Sequence, residues 1–180
     1  QNPRGMFNPI LYTEVYDGTI INAVYDGLIA IGSDLQPVPR IAKSWEFSED
    51  GLSITFYLNE GVKFHDGVEL TAKDVGFTYR TICHPDYTGV RFGDFRVLKG
   101  AEDYNEGIAD DVEGIEIIDD YTIRFTIFEP FAPFITKFGY GILPSHLLED
   151  IPVMELEFAD FNQHPIGAGP FKFDLFRTGE

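Results

Sequence analysis

Four histidines and one cysteine are the residues best suited to act as nucleophile, general base or metal ligand, and their spacing isolates them. His65, His84, His146 and His164 form no HExxH or other paired pattern that would set two imidazoles on one helical face. A metal site built from them is therefore not expected. Cys83 directly precedes His84, placing a thiol beside a base. Adjacent residues leave a helix in different directions, however, and nothing nearby in the chain supplies donors for an oxyanion. His65, inside "FHDG", reads as a turn residue whose ring packs on or bonds to neighbouring backbone. Two facing carboxylates could serve a glycoside hydrolase, yet among 30 acidic residues some pair will always look suggestive. The stretch "EDYNEGIADDVEG" lacks the calcium-loop pattern of alternating ligands, glycine and closing glutamate, and reads as a solvated acidic loop. "GAGP", Gly167 to Pro170, has no lysine and leads into an apolar run instead of a helix. Tight-turn glycines explain it better than a phosphate cradle does. These patterns lead us to expect no catalytic residue, metal site or cofactor.

Composition narrows the function classes further. The net charge of −17, from 13 basic and 30 acidic residues, argues against nucleic acid, whose phosphates need clustered Lys and Arg. Such an acidic surface suits a soluble monomer. With 44% hydrophobic and 15% aromatic residues, the chain can bury a core. No run reaches the roughly 18 apolar residues a membrane-spanning helix needs. The only cysteine excludes an internal disulfide. The opening "QNPRGMFNPI" has neither an initiator methionine nor a basic-then-apolar leader, which is the expectation for a processed or trimmed end.

The elements that would position side chains are legible in the patterning. "IAKSWEFSEDGLSITFYLNEG" reads as a hairpin, with Ile54, Phe56 and Leu58 alternating against Ser53, Thr55 and Tyr57 around "SEDG". A helix follows, capped by Thr71 with Asp74 reaching back, and stapled by Leu70 and Val75. It runs through Tyr79 and Ile82 to the proline of "CHPD". "VEGIEIIDDYTIRFTIFEP" is a second hairpin, with Tyr121, Ile123, Phe125 and Ile127 on one face. "LKGAEDYNEG" predicts a short helix, and "PFAPFITKFGYGILPSHLLED" two more around a Gly-Tyr-Gly break. "AVYDGLIAI" and "PFKFDLF" read as apolar strands with few local partners. The whole predicts an α+β fold, a mixed sheet with short helices.

In this order the motifs resemble one family. The stretches "YDGLIAI", "PVPRIAKSWEFSEDGLSITFYLNEGVKFHDGVELTAKDVGFTYR", "LKGAEDYNEG", "VEGIEIIDDYTIRFTIFEPFAPFI", "ILPSHLL" and "HPIGAGPFKF" are similar to those of the family 5 extracellular solute-binding proteins. These serve ABC importers of oligopeptides, dipeptides and, in some branches, nickel. The departures are Asn59 where Arg or Lys is usual, Gly76 inside the capped helix, and Ala168 where Thr is usual.

The resemblance implies the N-terminal part of a two-lobed periplasmic-binding-protein type II fold. Residues 1–31 would belong to the large first lobe, residues 32–166 would form its smaller α+β domain, and residues 167–180 would return to the large lobe. The second lobe would lie outside this chain, leaving an incomplete cleft. The implied function is binding of oligopeptides or dipeptides outside the cell membrane, in the periplasm or as a lipoprotein. Delivery to a membrane permease would follow, with no enzyme chemistry and no cofactor. Related members bind nickel complexes, opines or oligosaccharides, and that alternative stays open. The segment Tyr12, Thr13, Glu14, Val15 matches the family stretch that runs beside the ligand backbone. Phe92 and Phe95 in "RFGDF" and Tyr140 in "FGYGILP" fall where the smaller domain approaches the ligand, with core packing as the competing role.

Overall fold

A computed structural model describes residues 4–176. In chain order its elements begin with α1 (Val15–Val24), β1 (Ile29–Ile31), β2 (Pro37–Pro39), β3 (Ala42–Phe47) and β4 (Ser53–Leu58). Next come α2 (Ala72–Cys83), α3 (Phe92–Phe95), α4 (Ala101–Asn105), β5 (Ile115–Asp119) and β6 (Thr122–Thr126). A kinked 3-10 stretch, Ala132–Gly139, and the single turn α5 (Ser145–Leu148) follow.

The two expected hairpins join into one four-stranded sheet of order β3-β4-β6-β5. A mixed sheet was expected, but every pairing among the described residues is antiparallel: hairpins join β3 to β4 and β5 to β6, and the two hairpins meet through the antiparallel β4–β6 pair. Ile54 pairs with Phe125 and Phe56 with Ile123, so period-two alternation brings four buried side chains onto one face. Helix α2 covers that face with Val75, Tyr79 and Ile82, all fully buried. Phe138, from the 3-10 stretch, fills the centre. Its ring lies 4.6 Å from Phe125, 4.8 Å from Phe56 and 5.2 Å from Tyr79. Tilted and edge-on rings at these separations are the favourable aromatic geometry.

The start of α2 is as the sequence predicts. Thr71 and Asp74 form the capping box, with the Thr71 N–H donating to Asp74 Oδ2 at 2.9 Å. Leu70 and Val75, both fully buried, complete the staple. Asp74 does more than cap. Its other oxygen, Oδ1, accepts from the Ser145 N–H at 2.9 Å and the Ser145 hydroxyl at 2.7 Å. One turn on, the Thr78 hydroxyl donates to the Asp74 carbonyl at 2.8 Å and accepts from the Leu143 N–H at 2.9 Å. Asp74, Thr78 and Ser145 are all buried. This polar seam fixes the segment that follows the Gly-Tyr-Gly break against α2. Gly76 has a packing reason as well: a Cβ there would stand 2.9 Å from Ile117 Cδ1 and 2.7 Å from an Arg80 nitrogen, so glycine lets α2 lie close on β5.

The two apolar end segments fold differently from expectation. Ala23 and Val24 belong to α1, and only Ile29–Ile31 of "AVYDGLIAI" is strand, paired with Pro37–Pro39. Described residues of "PFKFDLF" form no strand. Instead the Gly169 and Phe171 N–H groups bond to the carbonyls of Val24 at 2.8 Å and Ala23 at 3.0 Å, satisfying acceptors that the end of α1 leaves open. Phe173 and Phe176 then stack on Phe7, closing a second apolar cluster with Ile21, Val24 and Tyr25. The glycines of "GAGP" serve this approach more than a turn: a Cβ on Gly167 would sit 2.1 Å from the Val24 carbonyl oxygen.

His65 locks the same crossing. Its N–H donates to the Gly167 carbonyl at 2.9 Å, its Nε2 bonds the Gly169 carbonyl at 2.9 Å, and the Gly167 N–H faces its Nδ1 at 3.4 Å. An acceptor at Nδ1 and a donor at Nε2 describe the neutral Nε2–H tautomer. The ring does bond backbone, but backbone about a hundred residues away in sequence.

Removing the seam tests its weight. Asp74→Ala is expected to destabilise the chain by about 3 kcal/mol in urea unfolding, because buried donors lose a charged acceptor. Thr71→Ala is expected to lose only about 1 kcal/mol, the usual cost of a helix cap. Equal losses would reduce Asp74 to a capping residue.

Candidate ligand-binding site

The segment before α1 is pinned to the body of the protein by one aromatic and one cation. The Tyr87 hydroxyl donates to the Ile10 carbonyl, and Arg91 Nη2 donates to the Tyr12 carbonyl at 3.3 Å. Arg91, the residue before α3, lies between two rings, its guanidinium carbon 4.8 Å from the Tyr12 centroid and 5.0 Å from that of Tyr140. At these distances both π-faces attract the cation. Its Nε is buried with no hydrogen-bond partner among the described residues. Tyr140 is held in turn, donating to Asp94 Oδ2 at 2.6 Å, while Lys137 Nζ bonds Asp94 Oδ1 at 2.7 Å.

A cavity of about 270 Å³ opens between these groups, walled by Pro9, Tyr12, Ile21, Lys137 and Tyr140. Beyond it the chain stays extended, with Glu14 at φ −94° and ψ 136°. Thr13 is exposed, Glu14 half-buried and ion-paired to Arg4 at 3.3 Å, and Val15 80% exposed. Thr13 makes no backbone hydrogen bond among the described residues, and α1 starts without a side-chain cap, so the N–H groups leading into it stay available. Thr13 and Glu14 face a second groove of about 520 Å³, which the buried Asp17 also lines.

The seven candidate residues therefore separate. Tyr12 and Tyr140 meet across Arg91, and Thr13, Glu14 and Val15 extend the same edge. Phe92 is half-buried and packs on the core. Phe95 is fully buried, with Tyr79 at 5.0 Å and Tyr140 at 6.0 Å, and so offers no surface to a ligand. Positions three apart on one helical turn face the same way, and here that way is inward. Sequence reading passed over Arg91, Asp94 and Lys137. No local pattern announces them, because they meet only where the segments around positions 12, 91–94 and 137–140 come together.

Charge states follow from the contacts. Burial pushes the Asp94 carboxyl up, but the hydrogen bonds from Lys137 and Tyr140 outweigh it and hold the group below the ordinary carboxylate range. Burial, then the bond to Asp94, pushes the Tyr140 hydroxyl up to about 12, keeping it a neutral donor. Two cations against one carboxylate leave a small positive spot in a chain of net charge −17. Cys83 is fully buried and burial pushes its thiol up to about 12, so it is core and not nucleophile. The described residues hold no cluster of three His, Cys, Asp or Glu placed to bind a metal, and no helix long and apolar enough to cross a membrane.

Comparison with known proteins bears on what such a site does. A sequence profile described as bacterial extracellular solute-binding proteins, family 5 Middle, matches residues 36–180. The chain is 33% identical over 178 residues to the oligopeptide-binding protein AppA of Bacillus subtilis, covering 97% of this chain and 30% of that protein. The structure of AppA in complex with a nonapeptide matches with a TM-score of 0.86 at 32% identity, over 99% of this chain and 33% of that one. NikZ from Campylobacter jejuni, in complex with Ni(L-His), matches with a TM-score of 0.83 at 33% identity, over 100% of this chain and 33% of that one. The chain thus spans about a third of the length of these relatives.

Two measurements check the local chemistry. A lowered Asp94 stabilises the fold above the ordinary carboxylate pKa of about 3.9, and that contribution is lost as pH falls through its lowered value. The stability gap between the natural chain and Asp94→Asn is therefore expected to stay level from neutral pH down to about pH 5 and to shrink below about pH 4; a gap that grows on acidification contradicts the assignment. Cys83 is expected to resist a thiol reagent at pH 8 until denaturant unfolds the chain. Rapid labelling of the folded chain contradicts its place in the core.

Proposed function

The chain belongs to the bacterial extracellular solute-binding proteins of family 5, and we propose that it forms one wall of a cleft that holds a short peptide outside the cytoplasmic membrane. The observation that carries this reading is the exposed edge that leads into α1, with Glu14 extended, Thr13 free of backbone hydrogen bonds among the described residues and open N–H groups at the helix start, flanked by Tyr12, Arg91 and Tyr140. Such an edge suits strand addition, in which the peptide's main chain supplies the missing partners. The aromatic faces and the Arg91 and Lys137 donors provide polar and apolar contact without a nucleophile to act on what is bound. Phe92 and Phe95 support the wall from behind.

The whole protein is then the substrate-binding component of an ABC importer, a monomer that closes on oligopeptides or dipeptides and passes them to a membrane permease. It would work in the periplasm or tethered as a lipoprotein. Residues 32–166 form the smaller domain of the first lobe, with residues 1–31 and 167–180 assigned to the larger one, of which 1–3 and 177–180 lie outside the described residues. The separate cluster of Phe7, Ile21, Val24 and Tyr25 with Phe173 and Phe176 supports that division, although the β1–β2 pairing bridges its first boundary. The facing wall is assigned to the length of the relatives that this chain does not span. The likeness to NikZ in complex with Ni(L-His) supports a second reading, a nickel–amino-acid complex in the same cleft.

Calorimetric titration of the whole protein with a panel of short peptides decides between them. Peptide is expected to bind and be recovered unchanged, and Arg91→Ala is expected to weaken binding about tenfold, because Tyr12 and Tyr140 lose the cation that holds them in place. Cleavage of the peptide contradicts the reading. Binding of Ni–histidine in place of every peptide favours the second one.

A further inference from the structure

On the far side of the Asp94–Lys137 ion pair lies another groove, of about 520 Å³, and Lys137 lines both this groove and the cavity beside Tyr140. Its apolar faces are Phe128, 57% exposed, and Phe131, 40% exposed, above Val97. Two exposed phenylalanines lining one groove leave desolvation energy unused unless something covers them. The groove is anchored, because the Phe128 N–H donates to the Val97 carbonyl at 3.1 Å and Leu98 bridges to Ile127.

The carboxylates around it are not all paired. Asp94 is satisfied by Lys137 and Tyr140. Glu102 is held by Arg96, whose Nε donates to it at 3.0 Å. Glu129, on the stretch between the two phenylalanines, makes no ion pair among the described residues. Glu129 is thus the carboxylate of this groove that no cation pairs among the described residues, and it lines the groove together with two aromatic side chains. The group that matches both is a planar cation on an apolar stem: its charge meets Glu129 and its face stacks on the rings.

We propose that this groove is a specificity pocket for an arginine side chain of the bound peptide, which enters past Lys137. The proposal rests on the peptide reading above and adds a side-chain preference to it. The Lys137–Asp94 pair acts as the sill between the main cleft and the pocket. Because Lys137 already satisfies Asp94, the surplus charge that selects the ligand is that of Glu129.

The test uses the whole protein and two tripeptides, Ala-Arg-Ala and Ala-citrulline-Ala, which differ in charge but hardly in shape. The arginine peptide is expected to bind about tenfold tighter, the scale of one partly desolvated cation–aromatic contact. In Glu129→Gln and in Phe131→Ala, both at exposed positions, that ratio is expected to fall towards one. Equal affinity of the two peptides for the natural protein overturns the pocket while leaving peptide binding intact. A ratio unchanged in both variants overturns its location. If neither peptide binds, the peptide reading fails first, and n-butylguanidinium is then titrated against n-butylurea by thermal shift. A shift with the cation alone, abolished by Glu129→Gln, supports the pocket by itself, and no difference between the two overturns it.

Discussion

A single buried carboxylate holds the architecture together. Asp74 uses one oxygen to cap its own helix and the other to grip Ser145, some seventy residues later, and Thr78 extends the grip to Leu143. Burying a charge is unfavourable unless every lone pair is met, so the seam tolerates few alternative arrangements. Its consequence reaches the surface. The chain entering the seam carries Phe138 into the middle of the core and leaves Lys137 and Tyr140 at its edge. Local capping chemistry thereby becomes long-range positioning.

The proposed binding wall is the outer layer of the aromatic core, not a loop added to it. Phe138 touches Phe125, Phe56, Tyr79 and Phe95, and Phe95 touches Tyr140. Tyr140 in turn carries Arg91 on its face, and Arg91 carries Tyr12. Each ring is immobilised by the one behind it, which cuts the ordering a ligand must otherwise impose. The same stacking explains why a phenylalanine in the right stretch of sequence contributes nothing directly: Phe95 is one layer too deep.

Much of the fold was legible because it is written locally. Both hairpins and the Thr71–Asp74 cap announce themselves within a few residues, through alternation and turn chemistry. Helix α1 was not read because its start has no side-chain cap and its β-branched residues resemble strand, although Asp17, Ile21 and Val24 carry the helical spacing of a buried face. The site was half legible. Tyr12 and Tyr140 came from resemblance to a family, whereas Arg91 between them depends on a meeting of positions 12, 91 and 140 that no local pattern encodes. His65 teaches the same lesson: its turn was visible, its partners Gly167 and Gly169 were not.

The most direct measurement is amide hydrogen exchange at Thr13, Glu14 and Val15 in the whole protein, with and without a saturating short peptide. If the peptide adds as a strand along this edge, those amides slow on binding by at least the tenfold that one protecting hydrogen bond brings, while the amides of β5 do not change. Peptide that binds tightly yet leaves all three exchanging at their free rates would place the ligand elsewhere and contradict the assignment of this wall.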